Sequence, residues 1–119
     1  MKMPSRPIDA DKLFGLHDDI RHVIVVDSMG EVVNIFSRAK KVWPMDIQRE
    51  FSGIMATVTF GISEKVRDIA GEIEYIVVHY EKMKIIIVKS PKYFYIVSAR
   101  KSLPDDMAKA LTTLLKSEG

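Results

Sequence analysis

The chain has 119 residues, 47% hydrophobic and 29% charged, a balance that suits one globular domain around one core. A net charge of +2 is too small to imply nucleic acid by itself. The absence of cysteine excludes disulfides, thiolate metal sites and cysteine nucleophiles.

Residues 1–8, with Pro4 and Pro7, read as a flexible N-terminus, and residues 9–117 as a single domain. The opening residues lack the apolar core of a signal peptide, and no apolar run approaches the ~20 residues that span a bilayer. A cytoplasmic location is the expectation. Residues 9–21 predict a short helix, capped by Asp9 or Asp11, with Leu13, Leu16 and Ile20 on one face. Gly15 weakens that helix.

Strands are expected at 22–27 and 31–36, joined by Asp27-Ser28-Met29-Gly30. An Asp-x-x-Gly after a strand also occurs where GTPases approach magnesium. That chemistry needs a GxxxxGK[ST] phosphate cradle, and none is present. The loop therefore reads as a hairpin turn. Asp27 bonds local backbone N–H groups, and Gly30 supplies a positive φ.

Trp43-Pro44 opens a long helix over 44–70, with Pro44 in the first turn and Asp46 at the positive end of the dipole. Ile47, Phe51, Ile54, Met55, Val58, Ile62, Val66 and Ile69 recur at helical spacing and are expected to be the buried stripe. Ser52, Gly53, Ala56, Thr57 and Phe60 gather on the other side, where a solvated helix would carry Lys and Glu. Small side chains there would let a second helix approach closely around Phe60. Fuller burial within one chain is the alternative, and Gly61 with Ser63 leaves a break into two helices open.

Three further strands are expected at 73–80, 84–89 and 93–99, then a helix over 104–116 with Met107, Leu111 and Leu114 inward. Val23–Val26 and Ile85–Val88 do not alternate, so both faces should be covered, whereas 31–37 is broken and suits a sheet edge. The predicted fold class is α/β (α+β): a five-stranded antiparallel sheet with helices on both faces, in the order α-β-β-α-β-β-β-α. Strand 73–80 is long, apolar and open to β-pairing, so Ile73 and Tyr75 join the helix face as candidate dimer contacts.

The whole pattern over residues 9–117 resembles the roadblock family, a branch of the profilin-like folds. The resemblance is carried by the leading helix, the hairpin VIVVDSMGEVVNIF, the long helix, the meander EIEYIVVHYEKMKIIIVKSPKYFYIVSAR and the final amphipathic helix. It is narrower still to a group of small archaeal proteins that pair a VDSMG-like hairpin with a Tyr-x-Lys turn, here Tyr80-Glu81-Lys82, and from which no function carries over. The roadblock resemblance implies a non-enzymatic homodimer that scaffolds complexes and regulates a small GTPase. It implies pairing of the long helices and joining of edge strands.

The rival signal is the basic run at Arg38, Lys40 and Lys41 beside Trp43, to which Lys82 and Lys84 add charge. Together they would hold phosphates while Trp43 stacks on a base, the pattern of a nucleic-acid-binding face. A small-molecule sensor is a third class, although the Ile/Val core runs offer few polar groups to orient a ligand. His17, His22 and His79 lack metal-ligand spacing, and no serine sits in a G-x-S-x-G context. No catalytic residue, cofactor or metal is assigned.

Overall fold

A computed structural model describes residues 9–118; the expected flexible segment 1–8 lies outside the described residues. Eight elements follow in chain order: α1 (Ala10–Gly15), β1 (Ile20–Asp27), β2 (Val32–Ser37), α2 (Met45–Ala70), β3 (Tyr75–His79), β4 (Met83–Lys89), β5 (Tyr93–Arg100) and α3 (Met107–Glu118). All strand pairs are antiparallel, and the sheet runs β2-β1-β5-β4-β3. The predicted element order and sheet are thus the observed ones. Boundaries move by a few residues. The largest change is α1, which stops at Gly15, so that Ile20 opens β1 instead of closing a helix. Asp9 is the cap, its carboxylate accepting from the Asp11 and Lys12 N–H groups.

The sheet separates two apolar layers. On one face Leu13 of α1 and Ala108, Leu111 and Leu115 of α3 pack on Val23, Val25, Ile86, Val88, Tyr95 and Val97. On the other, Ala56 of α2 packs on Ile24, Val26, Ile85, Ile87, Phe94 and Ile96. Strands β1, β4 and β5 are central or covered on both faces, which is why their sequences lack alternation. β2 and β3 are the edges.

The β1–β2 turn is a hydrogen-bonded hairpin loop. Asp27 Oδ1 accepts from the Met29 and Glu31 N–H groups at 2.9 and 3.0 Å, and the Gly30 N–H donates to the Asp27 carbonyl. Gly30 has φ +86°, and a Cβ there would lie 3.5 Å from the Ala56 Cβ and 3.6 Å from the Gly53 Cα. The positive φ calls for glycine, while the space beside α2 would take a Cβ in ordinary contact.

α2 is one uninterrupted helix of 26 residues, and Gly61 and Ser63 do not break it. Its orientation is the reverse of the expected one. The buried side chains are Gln48, Ser52, Ala56, Thr59 and Ser63, at spacings of three and four. Ile47, Ile54, Val58, Ile62, Val66 and Ile69 all face outward. A face of small side chains lets the helix backbone come close to the sheet, whereas a face of Ile and Val would hold it away.

Candidate functional site

The outward face of α2 is the largest apolar feature outside the core. Ile47, Ile54, Val58, Ile62 and Ile69 are 45, 59, 38, 48 and 90% exposed, and Met45 and Val66 add to the band. Scattered exposed aliphatics are ordinary, but a continuous stripe along one helix is not. Phe51 and Met55 flank it, half-buried against the chain's own core. From Ile47 to Ile69 the stripe is about 33 Å long at ~1.5 Å per residue.

The residues expected to form a dimer seam are dispersed. Ser52 and Ala56 lie inside the chain, and Ser52 Oγ donates to the Gln48 carbonyl at 2.7 Å. Gly53 sits beneath the Gly30 turn. Phe60 packs edge-on against Phe94 with ring centroids 5.6 Å apart, under the Lys89 ammonium. Of the five, Thr57 alone is exposed, its hydroxyl donating to the Gly53 carbonyl. On the strand side, Ile73 precedes β3 and is half-buried, and Tyr75 packs into the α1/α3 layer. The expected helix seam therefore faces the wrong way. Hydropathy periodicity assigned the Ile/Val stripe to the interior, whereas of that stripe only Phe51 and Met55 pack on the core, and the buried Gln48, Thr59 and Ser63 stood in neither expected set.

The basic set also divides. Arg38 turns inward: its guanidinium donates to the carbonyls of Ile20, Phe14 and His17 at 2.8, 2.9 and 2.6 Å and lies over the Phe14 ring. Lys84 is 3% exposed. Its ammonium donates to the Leu103 carbonyl and, at 2.7 Å, to Asp105 Oδ1. That contact holds the Asp105 carboxyl below its ordinary pKa. Both cations hold the fold together and cannot meet a phosphate. Lys40 is exposed, while Lys41, Trp43 and Lys82 come together around a cavity at one end of the sheet.

Sequence reasoning passed over the polar relay that fixes this end. His22 faces the α2 side of β1, and its Nε2–H donates to Gln48 Oε1 at 3.0 Å. The Gln48 amide in turn donates to the Trp43 carbonyl at 2.8 Å. The relay ties the 38–44 segment and the first turn of α2 to the sheet. Burial pushes the His22 imidazole below its ordinary pKa, against the upward pull of the Gln48 bond. The one signal available in the sequence was a histidine at the head of a run of buried aliphatics. Among the described residues no group of three or more His, Asp or Glu side chains is placed to hold a metal ion.

The same architecture occurs in known proteins. An MglB protein in a tetrameric arrangement superposes with a TM-score of 0.66 at 12% identity, over 98% of this chain and 96% of that one. A roadblock/LC7 domain from Streptomyces avermitilis superposes with a TM-score of 0.63 at 9% identity, over 83% of this chain and 81% of that one. A Schizosaccharomyces pombe profilin reaches 0.58 at 16% identity, over 84% of each chain. No family model matches the sequence. No curated protein matches it either. At these identities the likeness establishes the fold, which is roadblock/profilin-like.

Proposed function

We propose that this protein is a homodimeric, non-enzymatic interaction module of the cytoplasm that pairs through the outward face of α2. The observation that carries the proposal is the spacing of the exposed stripe. Ile47, Ile54, Val58, Ile62 and Ile69 are separated by seven, four, four and seven residues, a pattern symmetric about Val58, while Met45 and Val66 of the same band have Gly71 and Glu50 as their mirrored positions. Two copies laid antiparallel across a two-fold axis at Val58 would set Val58 on Val58, Ile54 on Ile62 and Ile47 on Ile69. An isologous interface demands that self-complementarity, and a helix serving an unrelated groove has no reason to carry it.

Magnitudes favour a second contact. Ten half-exposed aliphatics, five from each copy, offer roughly 10 kcal/mol gross at about 1 kcal/mol each, half of a full burial. Association costs roughly 4–15 kcal/mol. The β3 edge supplies the remainder: Ile76 and Val78 face the α2 layer, and the strand's outer N–H and C=O groups are open to pairing. The tetrameric arrangement of one fold neighbour, an MglB, supports the reading.

Light scattering over a wide concentration range tests it. The wild type should weigh a dimer and Val58→Glu a monomer with unchanged circular dichroism. A wild-type monomer at every concentration, or a Val58→Glu dimer, removes the proposal. Regulation of a small GTPase, and the narrower kinship with small archaeal proteins, belong to the same reading and rest on the resemblance in sequence pattern. GTP hydrolysis by a candidate GTPase, measured with and without the protein, tests the partner class. An unchanged rate without co-elution removes it.

A further inference from the structure

The end of the sheet that α2 leaves bare holds a cavity of about 250 Å³. Its floor is the α2 face of the strands: His22 and Ile24 from β1, Ser98 from β5 and Met83 from β4. Register explains the grouping, because His22 pairs with Ser98 and Met83 with Arg100 across adjacent ladders. The roof is the 39–43 segment, with Ala39, Val42 and Trp43 facing the space. Trp43 is braced from behind by Phe51, edge-on at 5.3 Å, and its carbonyl is held by Gln48. A wall fixed this way presents a ring face without further ordering cost.

The charge around the cavity has one sign. Arg21, Lys41, Lys82 and Arg100 line it, and no Asp or Glu does. Two of these cations are already matched. Arg100 lies 3.1 Å from Asp18 and 3.5 Å from Asp19, and Arg21 donates to the Arg38 carbonyl at 2.8 Å and lies 3.9 Å from Asp18. Lys41 and Lys82 have no ion-pair or hydrogen-bond partner among the described residues. Both line the cavity, one from the roof segment and one from the β3–β4 turn. Glu81 lies outside, in the shallow depression beyond Trp43.

We propose that this cavity binds a small planar organic anion: one ring system seated between Trp43 and Met83, with its carboxylate or phosphate held by the Lys41 and Lys82 ammonium groups. The size sets the class, since the cavity falls below the roughly 300–1,000 Å³ of drug-sized pockets and admits a ligand of about one ring system. An apolar body lined by two unpaired cations selects a ring that carries negative charge over a neutral ring. The site lies apart from the α2 stripe. It lies at the N-terminal end of α2, on the sheet side of that helix, and the exposed stripe is on the opposite side.

The single tryptophan of the chain makes the test specific. Trp43 emission is followed while benzoate, AMP, benzamide and adenosine are each titrated in. The carboxylate and phosphate arms separate the two sources of negative charge. At least one anion should change the emission saturably, with its neutral counterpart at least about tenfold weaker. The Lys41→Glu/Lys82→Glu double variant changes only exposed side chains, and its melting curve checks the fold. It should weaken the anion at least about tenfold as well. Isothermal calorimetry on the same four compounds guards against a silent fluorophore. No saturable signal in either measurement, equal binding of the neutral analogues, or undiminished binding to a folded double variant overturns the proposal. A single-stranded oligonucleotide that binds far more tightly than AMP also overturns it, because it would make the cavity one step on an extended nucleic-acid track.

Discussion

At the residue scale, three positions have roles that their chemistry alone does not reveal. Gly30 combines φ +86° with a 3.5 Å approach to Ala56. Gly30→Ala should lower stability by about 1–2 kcal/mol in a denaturant titration, from the left-handed backbone cost before any clash. Lys84 is a buried ammonium whose main protein acceptor is the Leu103 carbonyl. Lys84→Met should cost about 1–3 kcal/mol by leaving that carbonyl without its donor. A neutral result would mean that water replaces it. His22 titrates below its ordinary value because it is buried. The unfolded chain then takes up the proton first as pH falls, so stability should decline from about pH 6.5 downward until the lower folded pKa is reached. Asp105 works in a different window. Its carboxyl is held low by Lys84, so its contribution is complete above the unfolded value of 3.8 and is lost only below it. Melting curves at several pH values should show the upper step in the wild type and not in His22→Gln.

At the element scale, α2 carries two faces with opposite tolerances. Ala56→Leu pushes extra methylenes into the layer against Ile24, Val26 and the Gly30 turn. It should destabilise by roughly 1–3 kcal/mol without a direct effect on self-association. Ile54→Lys, on the outward face, should leave the monomer fold intact and weaken the dimer. If the two variants exchange phenotypes, the orientation of α2 is wrong. Sequence reading located the helix and its ends, but not which residues look toward the sheet. Hydropathy ranks the Ile/Val face as the one that should be covered. What hydropathy cannot say is whether the cover is the chain's own sheet or another polypeptide.

For the whole molecule, the proposed dimer through α2 and β3 would link stability to concentration. The folded pair is favoured by mass action, so the melting temperature of the wild type should rise with protein concentration and that of Val58→Glu should not. No helix among the described residues is long and apolar enough to cross a membrane. The exposed stripe suits a protein contact, because its length along one helix matches a partner helix. The α1/α3 layer is closed by Leu13, Leu111 and Leu115.

The element order, the antiparallel sheet, the hairpin turn at Asp27–Gly30 and the division between covered and edge strands were legible in the amino-acid order alone. These features are local. They follow from hydropathy period, from turn chemistry over four residues and from the short connections that make neighbouring strands pair. Only the tertiary structure decided which face of α2 lies on the sheet, because that turns on how closely a helix backbone can approach strands far away in the chain. Only the tertiary structure could also sort the cations. Arg38 and Lys84 look like their neighbours in sequence, yet both are consumed by carbonyls brought in from elsewhere in the fold. Lys41 and Lys82, forty-one positions apart, meet around Trp43 because the register of β1, β5 and β4 puts their anchors on one end of the same face.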